Sequence, residues 1–456
     1  MRRTFALVAL ALSSLAAAAM AALLRPLVRP APPTPQTQAV QDGTLRMTAH
    51  LDRRYLPEAG GGEAFLEIDL AAAPATGSRR RVPVNAVLIL DRSGSMSGAK
   101  MDRARDAARA LVQALTADDR LSIVEFSSEA SVLFASAEMD PAARARALDA
   151  IDRLDAMGGT NLSAAFDIAA PELARGHARG RVDKVFLASD GQANEGISER
   201  DGLLRLAQRD FAGATLSSFG IGEDYDEDLM SALAAQAGGR ARYISSPQVL
   251  AGAFRDELGR AAAAVARDVR LRIRGLSGAS VVRVLGYGGQ GGEVRLPDFA
   301  AGEERRVLVK LALPPGRGAA DLARVELELE DAASGEPAAA QVVAQGAFTS
   351  DAAQLSLPPG PAALEGARAE MAELAEQAAR LQESGRREEA KARITALHGL
   401  AGGTVVGFMP AQRRVLEQDA DEYDRGVSAI DAPGGAASKT VKQKAFDAVR
   451  APVAGW

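Results

Sequence analysis

Asp91, Ser93 and Ser95 place three oxygen-bearing side chains at i, i+2 and i+4 in one short stretch, NAVLILDRSGSMSG, over residues 85–98. One extended turn can aim all three oxygens at a single point. Oxygen-only donors of this kind suit a hard cation such as Mg²⁺, Mn²⁺ or Ca²⁺. The run Val87-Leu88-Ile89-Leu90 ahead of them is wholly apolar and stops abruptly at Asp91. It reads as a buried parallel strand whose end opens into a loop, and the loop leads into a helix. Other site chemistries find less support. The chain has no cysteine, which excludes thiol nucleophiles, zinc thiolate sites, disulfides and an N-terminal lipoprotein cysteine. Its histidines, His50, His177 and His398, lie in separate segments and read as surface or structural residues, not as catalytic groups.

Asp91-x-Ser93-x-Ser95 resembles the first element of the metal-ion-dependent adhesion site of von Willebrand factor type A (VWA) domains. That site has two further pieces. One is a threonine in a Gly-rich loop, which Met157-Gly158-Gly159-Thr160-Asn161-Leu162 resembles. The other is an aspartate after a later core strand, which Val185-Phe186-Leu187-Ala188-Ser189-Asp190-Gly191 resembles. All three occur in family order, at intervals suited to one such domain. The resemblance implies that Ser93, Ser95 and Thr160 bind a divalent cation directly, while Asp91 and Asp190 hold it largely through waters and hydrogen bonds. The cation implied is Mg²⁺, with Mn²⁺ or Ca²⁺ as alternatives. Hydroxyls donate no charge, so a cation held this way keeps much of its electrophilicity. An open coordination position would then attract an Asp or Glu of a protein partner. The function implied is metal-dependent protein binding, for adhesion or scaffolding at the cell envelope, without turnover. The alternative is a metal-stabilised structural scaffold for envelope assembly. A Mg²⁺-dependent enzyme handling a phosphoryl group is a third reading, weakened because no general base beyond the ligands is visible. Two positions depart from the family pattern. Arg92 sits between Asp91 and Ser93, and Ser189 stands where the family often has threonine; neither is an expected ligand.

The elements that must position these residues alternate. Strands are expected up to Asp91 and at residues 121–126, 131–134, 185–188, 214–220 and 242–244. Helices are expected at 99–115, 141–154, 162–173, 228–237 and 248–265. This alternation implies a Rossmann-like α/β domain with a mostly parallel central sheet covered on both faces. Ligands of open α/β sheets bind at the carboxyl ends of the strands, and Asp91 and Asp190 would share that rim. The phrase Phe219-Gly220-Ile221-Gly222-Glu223-Asp224-Tyr225-Asp226-Glu227-Asp228 is similar to bacterial exported VWA proteins in which a short β domain follows. Its acidic cluster reads as a solvated loop opening a helix, where acids are favourable.

From Asp268 the pattern changes to period two, which predicts a small antiparallel β unit, a sandwich. The Gly-rich residues 286–292 join two short strands and open no helix, so a nucleotide site is rejected. Residues 1–24 combine Arg2 and Arg3 with an apolar run, and read equally as an export signal or an N-terminal membrane anchor. Both place the rest outside the cytoplasm: periplasmic, inner-membrane anchored or secreted. The expected order continues with a Pro-rich linker at 25–41, strands at 42–80 joining the later β unit, the VWA domain at 82–265 and the antiparallel β domain at 266–348. A linker at 349–361, a helical segment at 362–428 and a flexible tail at 429–456 complete it. At 456 residues, about two to four domains are expected. Apolar content of 47% permits a sizeable core, and a formal charge of −5 gives no basic footprint for nucleic acid.

Overall fold

The computed structural model describes residues 36–39, 44–60, 62–74, 81–190, 192–221, 225–244, 247–287, 292–402, 408–430 and 436–450. The expected signal or anchor at 1–24, most of the Pro-rich linker, parts of the glycine-rich loops at 60–62 and 286–292 and of the acidic phrase at 219–228, and part of the expected tail at 429–456 lie outside these residues. Among the described residues no helix is long and apolar enough to cross a membrane.

Four strands come first: β1 (Gln36–Ala39), β2 (Leu45–Leu51), β3 (Tyr55–Pro57) and β4 (Glu63–Ala72). The α/β unit follows: β5 (Val84–Asp91), α1 (Ala99–Ala114), β6 (Arg120–Phe126), β7 (Ala130–Glu138), α2 (Pro141–Asp152), α3 (Leu162–Gly176), β8 (Val182–Ser189), α4 (Arg200–Asp210), β9 (Thr215–Ile221), α5 (Glu227–Gln236), β10 (Ala241–Ile244) and α6 (Pro247–Ala262). Its sheet runs β10-β9-β8-β5-β6-β7 and is parallel except for the edge strand β7. Side chains of a strand alternate between faces. Ala86, Leu88 and Leu90 therefore join the core under α1, α2 and α6, while Val87 and Ile89 join the core under α3, α4 and α5. Two covered faces explain why β5 reads as one unbroken apolar run.

The second domain contains β11 (Ala264–Gly275), β12 (Ser280–Val284), β13 (Glu293–Arg295), β14 (Phe299–Ala300), β15 (Glu304–Ala312), β16 (Gly318–Asp331) and β17 (Pro337–Thr349). Two sheets, β1-β2-β4-β15-β12 and β13-β11-β16-β17-β3, close over one apolar core. β4 pairs antiparallel with β15 along its length, from Glu63 opposite Ala312 to Ala71 opposite Glu304. Strands from before and after the α/β unit thus share one sheet, so the α/β unit is an insertion within the sandwich.

Several points differ from the sequence reading, among them α4, where no helix was expected. The helix expected over 248–265 ends at Ala262, and Ala264 begins β11, opposite Ala300 of β14; an all-alanine run carries no periodicity to mark that boundary. Residues 36–39 of the expected linker form β1, paired with β2. The expected linker at 349–361 contains a short helix, α7 (Ala352–Leu355), which Asp351 caps by accepting the Ala353 N–H at 2.9 Å. The expected flexible tail contains a helix. After α8 (Pro361–Glu383), α9 (Arg387–Gly402) and α10 (Pro410–Ser428), the chain forms α11 (Ala436–Arg450). Val441 and Ala445 bury against the α8 core, and Lys442 Nζ lies 2.7 Å from Glu383 Oε2. Lys444 likewise meets a carboxylate on a neighbouring helix, Glu422 of α10.

Candidate metal centre

From β5 the chain winds to β6 and β7 on one side, then returns to β8, β9 and β10 on the other. The winding reverses between β5 and β8, and ligands of open α/β sheets bind in the crevice at such a point. Asp91 ends β5, and Asp190 follows directly after β8. Both carboxylates are buried, at 0% and 1% exposure.

Asp91 is fixed by its own loop and by the neighbouring strand. Its Oδ1 accepts the Ser93 N–H at 2.8 Å, and its Oδ2 accepts the Ser189 hydroxyl. Burial nevertheless pushes the Asp91 carboxyl up to about 6, against the lowering effect of Ser189 and Ser93 and with a smaller upward push from Asp190. An anion so disfavoured is relieved by a nearby cation. After Ser93 the chain takes one 3₁₀ turn over Gly94–Met96, pinned by the fully buried Met96. Ser93 Oγ and Ser95 Oγ lie 3.0 Å apart. Ser93 is buried and Ser95 exposed, so this pair reaches from the floor of the crevice to its mouth.

The Thr160 loop is tied to the serine loop by two backbone bonds, Gly94 N–H to Gly158 O at 2.9 Å and Met157 N–H to Arg92 O at 2.7 Å. Gly158 has φ +77°, which favours glycine. A side chain at Gly159 would meet Glu195 Oε1 at 2.2 Å. Thr160 is buried, its N–H donating to Asn194 Oδ1 at 2.8 Å. Asn161 then caps α3 by accepting the Ala164 N–H at 3.1 Å. On the other side, Asp190 O accepts the Asp226 N–H at 2.9 Å, and Asp226 caps α5. Asp190 Oδ2 lies 3.3 Å from Lys100 Nζ. Asp190 Oδ1 is buried with no hydrogen-bond partner among the described residues.

Asp91, Ser93, Ser95 and Asp190 thus line one crevice, and the backbone bonds bring the Thr160 loop to it. Two carboxylates, one of them with an orphaned buried oxygen, and the paired hydroxyls of Ser93 and Ser95 fit a hard dication. The sequence reading missed four supporting residues. Ser189 was seen only as a departure from the family pattern. Ser128 accepts the Gly159 N–H at 2.8 Å, and Asn194 holds Thr160. Neither stands in a legible motif. Lys100 carried a signal, a cation in the first turn of a helix, where the dipole disfavours it.

A second cluster with metal-type donors is of another kind. Ligand atoms of His50, Glu67 and Asp69 lie within 4.8 Å of one another. Arg306 Nε is 2.5 Å from Glu67 Oε1 and 2.9 Å from Asp69 Oδ1, so a fixed cation already bridges the two acids.

Comparison with known proteins agrees with this fold. Residues 85–255 match the von Willebrand factor type A domain family. The uncharacterized protein sll0103 of Synechocystis is 30% identical over 298 residues, covering 61% of this chain and 69% of that protein. The uncharacterized protein YfbK of Escherichia coli is 30% identical over 192 residues, and the match spans only 33% of its length. Among solved structures, a von Willebrand factor type A protein from Catenulispora acidiphila superposes with a TM-score of 0.70 at 22% identity, covering 93% of this chain and all of that one. VWA domains commonly mediate protein–protein interaction and adhesion, and often bind a divalent metal at an adhesion site. With its sheet order and the Asp91–Ser95, Thr160 and Asp190 loops converging on one crevice, this chain belongs to the von Willebrand factor type A domain family.

Proposed function

We propose that this chain is a protein-binding module of the cell envelope, which captures a partner's Asp or Glu through a divalent cation. The observation that carries the reading is the orphaned, buried Asp190 Oδ1, directly after β8 and next in sequence to the Ser189 that bonds Asp91. Ser93, Ser95 and Thr160 would hold the ion, and Asp91 and Asp190 would balance its charge. A bound Mg²⁺ or Mn²⁺ would supply an electrophilic centre for one partner carboxylate oxygen. The exposure of Ser95 at the mouth supports approach from solvent. The reading is non-catalytic: the Asp91 oxygens already accept bonds from Ser93 and Ser189, so Asp91 is engaged as a support and not as a base. The basic start and apolar run of residues 1–24 support an extracytoplasmic position.

The test is capture of envelope proteins by the immobilised full chain in Mg²⁺ or in EDTA, beside the Asp91→Ala variant and with a free Glu-rich peptide as competitor. Capture that needs Mg²⁺, needs Asp91 and is displaced by the peptide supports the reading. Equal capture in EDTA, or by the folded variant, contradicts it. A Mg²⁺-dependent rise in melting temperature with no such capture would favour the structural scaffold.

A further inference from the structure

Lys100 is the second residue of α1, with the rest of the helix running away from the crevice. A cation in the first helical turn works against the helix dipole, so its position needs a local compensation. The compensation is Asp190: Lys100 Nζ lies 3.3 Å from Asp190 Oδ2, with the lysine side chain 24% exposed and the aspartate 1%. Among the described residues, two other charged groups near the crevice are engaged elsewhere. Arg92 lies 3.2 Å from Glu125 Oε2, and Glu195 Oε1 accepts the Ser128 hydroxyl. The two Asp91 oxygens are bonded to Ser93 and Ser189. Lys100 is thus the cation set against the carboxylate whose second oxygen is orphaned.

We propose that Lys100 is a built-in competitor for Asp190, so that its ammonium and a divalent ion exchange at that carboxylate and Lys100 sets the divalent concentration at which the site loads. This rests on the metal-binding reading above. Two cations cannot share one carboxylate in a half-buried crevice without repulsion, which water screens poorly there. The lysine stem is flexible and its head partly solvated, so the ammonium can swing to water when a dication takes the oxygen. With Lys100 in place, Asp190 keeps a counter-charge at low divalent concentration.

The test is calorimetric titration of MgCl₂ into the full chain: wild type, Lys100→Met, Lys100→Arg and Asp91→Ala, with circular dichroism as a folding control. The expected result is Mg²⁺ affinity about tenfold tighter in Lys100→Met, near wild type in Lys100→Arg, and a lower melting temperature of Lys100→Met in EDTA. Lys100→Gln replaces the Met variant if that one misfolds. Equal or weaker Mg²⁺ affinity in the neutral variant, while wild type binds, overturns the proposal and leaves the metal site standing. Absence of saturable Mg²⁺ binding in every protein overturns both.

Discussion

Asp91 and Ser189 divide one task between two strands. Asp91 supplies the charge at the end of β5, and Ser189 at the end of β8 donates to its Oδ2. Replacing Asp91 with alanine removes one of the two carboxylates proposed to balance the ion and frees the serine loop that its Oδ1 orders. Thr160→Ala removes one hydroxyl from a separate loop. Both variants should fold, because Asp91 ends its strand and the apolar packing of Val87 to Leu90 stays. Loss of a group that merely supports a ligand costs about 10–100-fold in metal affinity. Ser189→Ala should fall in that range, and Asp91→Ala at or beyond it, measured by Mn²⁺ titration. The candidate ligand positions could be named because each stands at a fixed offset from an apolar strand or a Gly pair. Ser189 and Asn194 were not: they act through hydrogen bonds to residues distant in sequence, and no spacing along the chain records that.

At the scale of elements, period and punctuation carried most of the information. β5 carries an unbroken apolar run, β8 a shorter one from Val185 to Ala188, and β11 and β15 alternate, so their types could be read. α4 could not. It fully buries only Gly202, Leu203 and Ala207, with Leu204 and Leu206 half-buried beside them among charged residues. α11 was hidden by its lysines; the partners of Lys442 and Lys444 lie on other helices. A chain truncated after residue 430 should therefore lose part of the α8 core, and its helical segment should melt at lower temperature by circular dichroism. The β2–β4 pair supplies a pH-dependent element. His50 stands opposite Glu67, with Nε2 3.4 Å from Oε2, and the Glu67 carboxylate raises the imidazole above its ordinary 6.5. A raised histidine stabilises the fold fully below 6.5 and loses that contribution as pH rises through the shifted value. His50→Gln should remove this part of the pH dependence of melting. An unchanged slope above 6.5 would show that the pair carries no linkage.

The whole molecule is a VWA domain inserted into a β-sandwich and touched by a helical bundle. At the base of the central sheet, away from the crevice, Lys184 Nζ donates to Glu257 Oε2 and to Ser217 Oγ, each at 2.9 Å, with both charged residues buried. Burial pushes the Glu257 carboxyl up, but Lys184 and Arg240 outweigh it and hold it down at about 2. Its contribution to stability is present above the ordinary carboxylate range and lost as pH falls through about 2. Glu257→Ala would strand the Lys184 ammonium and should destabilise the domain by about 3–5 kcal/mol, read from urea unfolding. On the opposite rim, Arg380 of α8 and Lys442 of α11 each lie 3.3 Å from Asp228 Oδ1 in the first turn of α5. The bundle therefore rests on the helix whose cap, Asp226, bonds the Asp190 carbonyl. The domain order was readable from shifts in period. The insertion was suggested by two early strands too few to fold alone, and the long-range register of β4 with β15 supplies the pairing.

The most direct measurement is a Mn²⁺ titration of the full chain followed by electron paramagnetic resonance, on wild type, Asp91→Ala and Thr160→Ala, with circular dichroism to show that each is folded. The expected result is one saturable site in wild type, its affinity lost in Asp91→Ala and reduced in Thr160→Ala, and displaced by excess Mg²⁺. Equal Mn²⁺ affinity in all three folded proteins would contradict the metal centre, and with it the cation-bridged capture of a partner carboxylate.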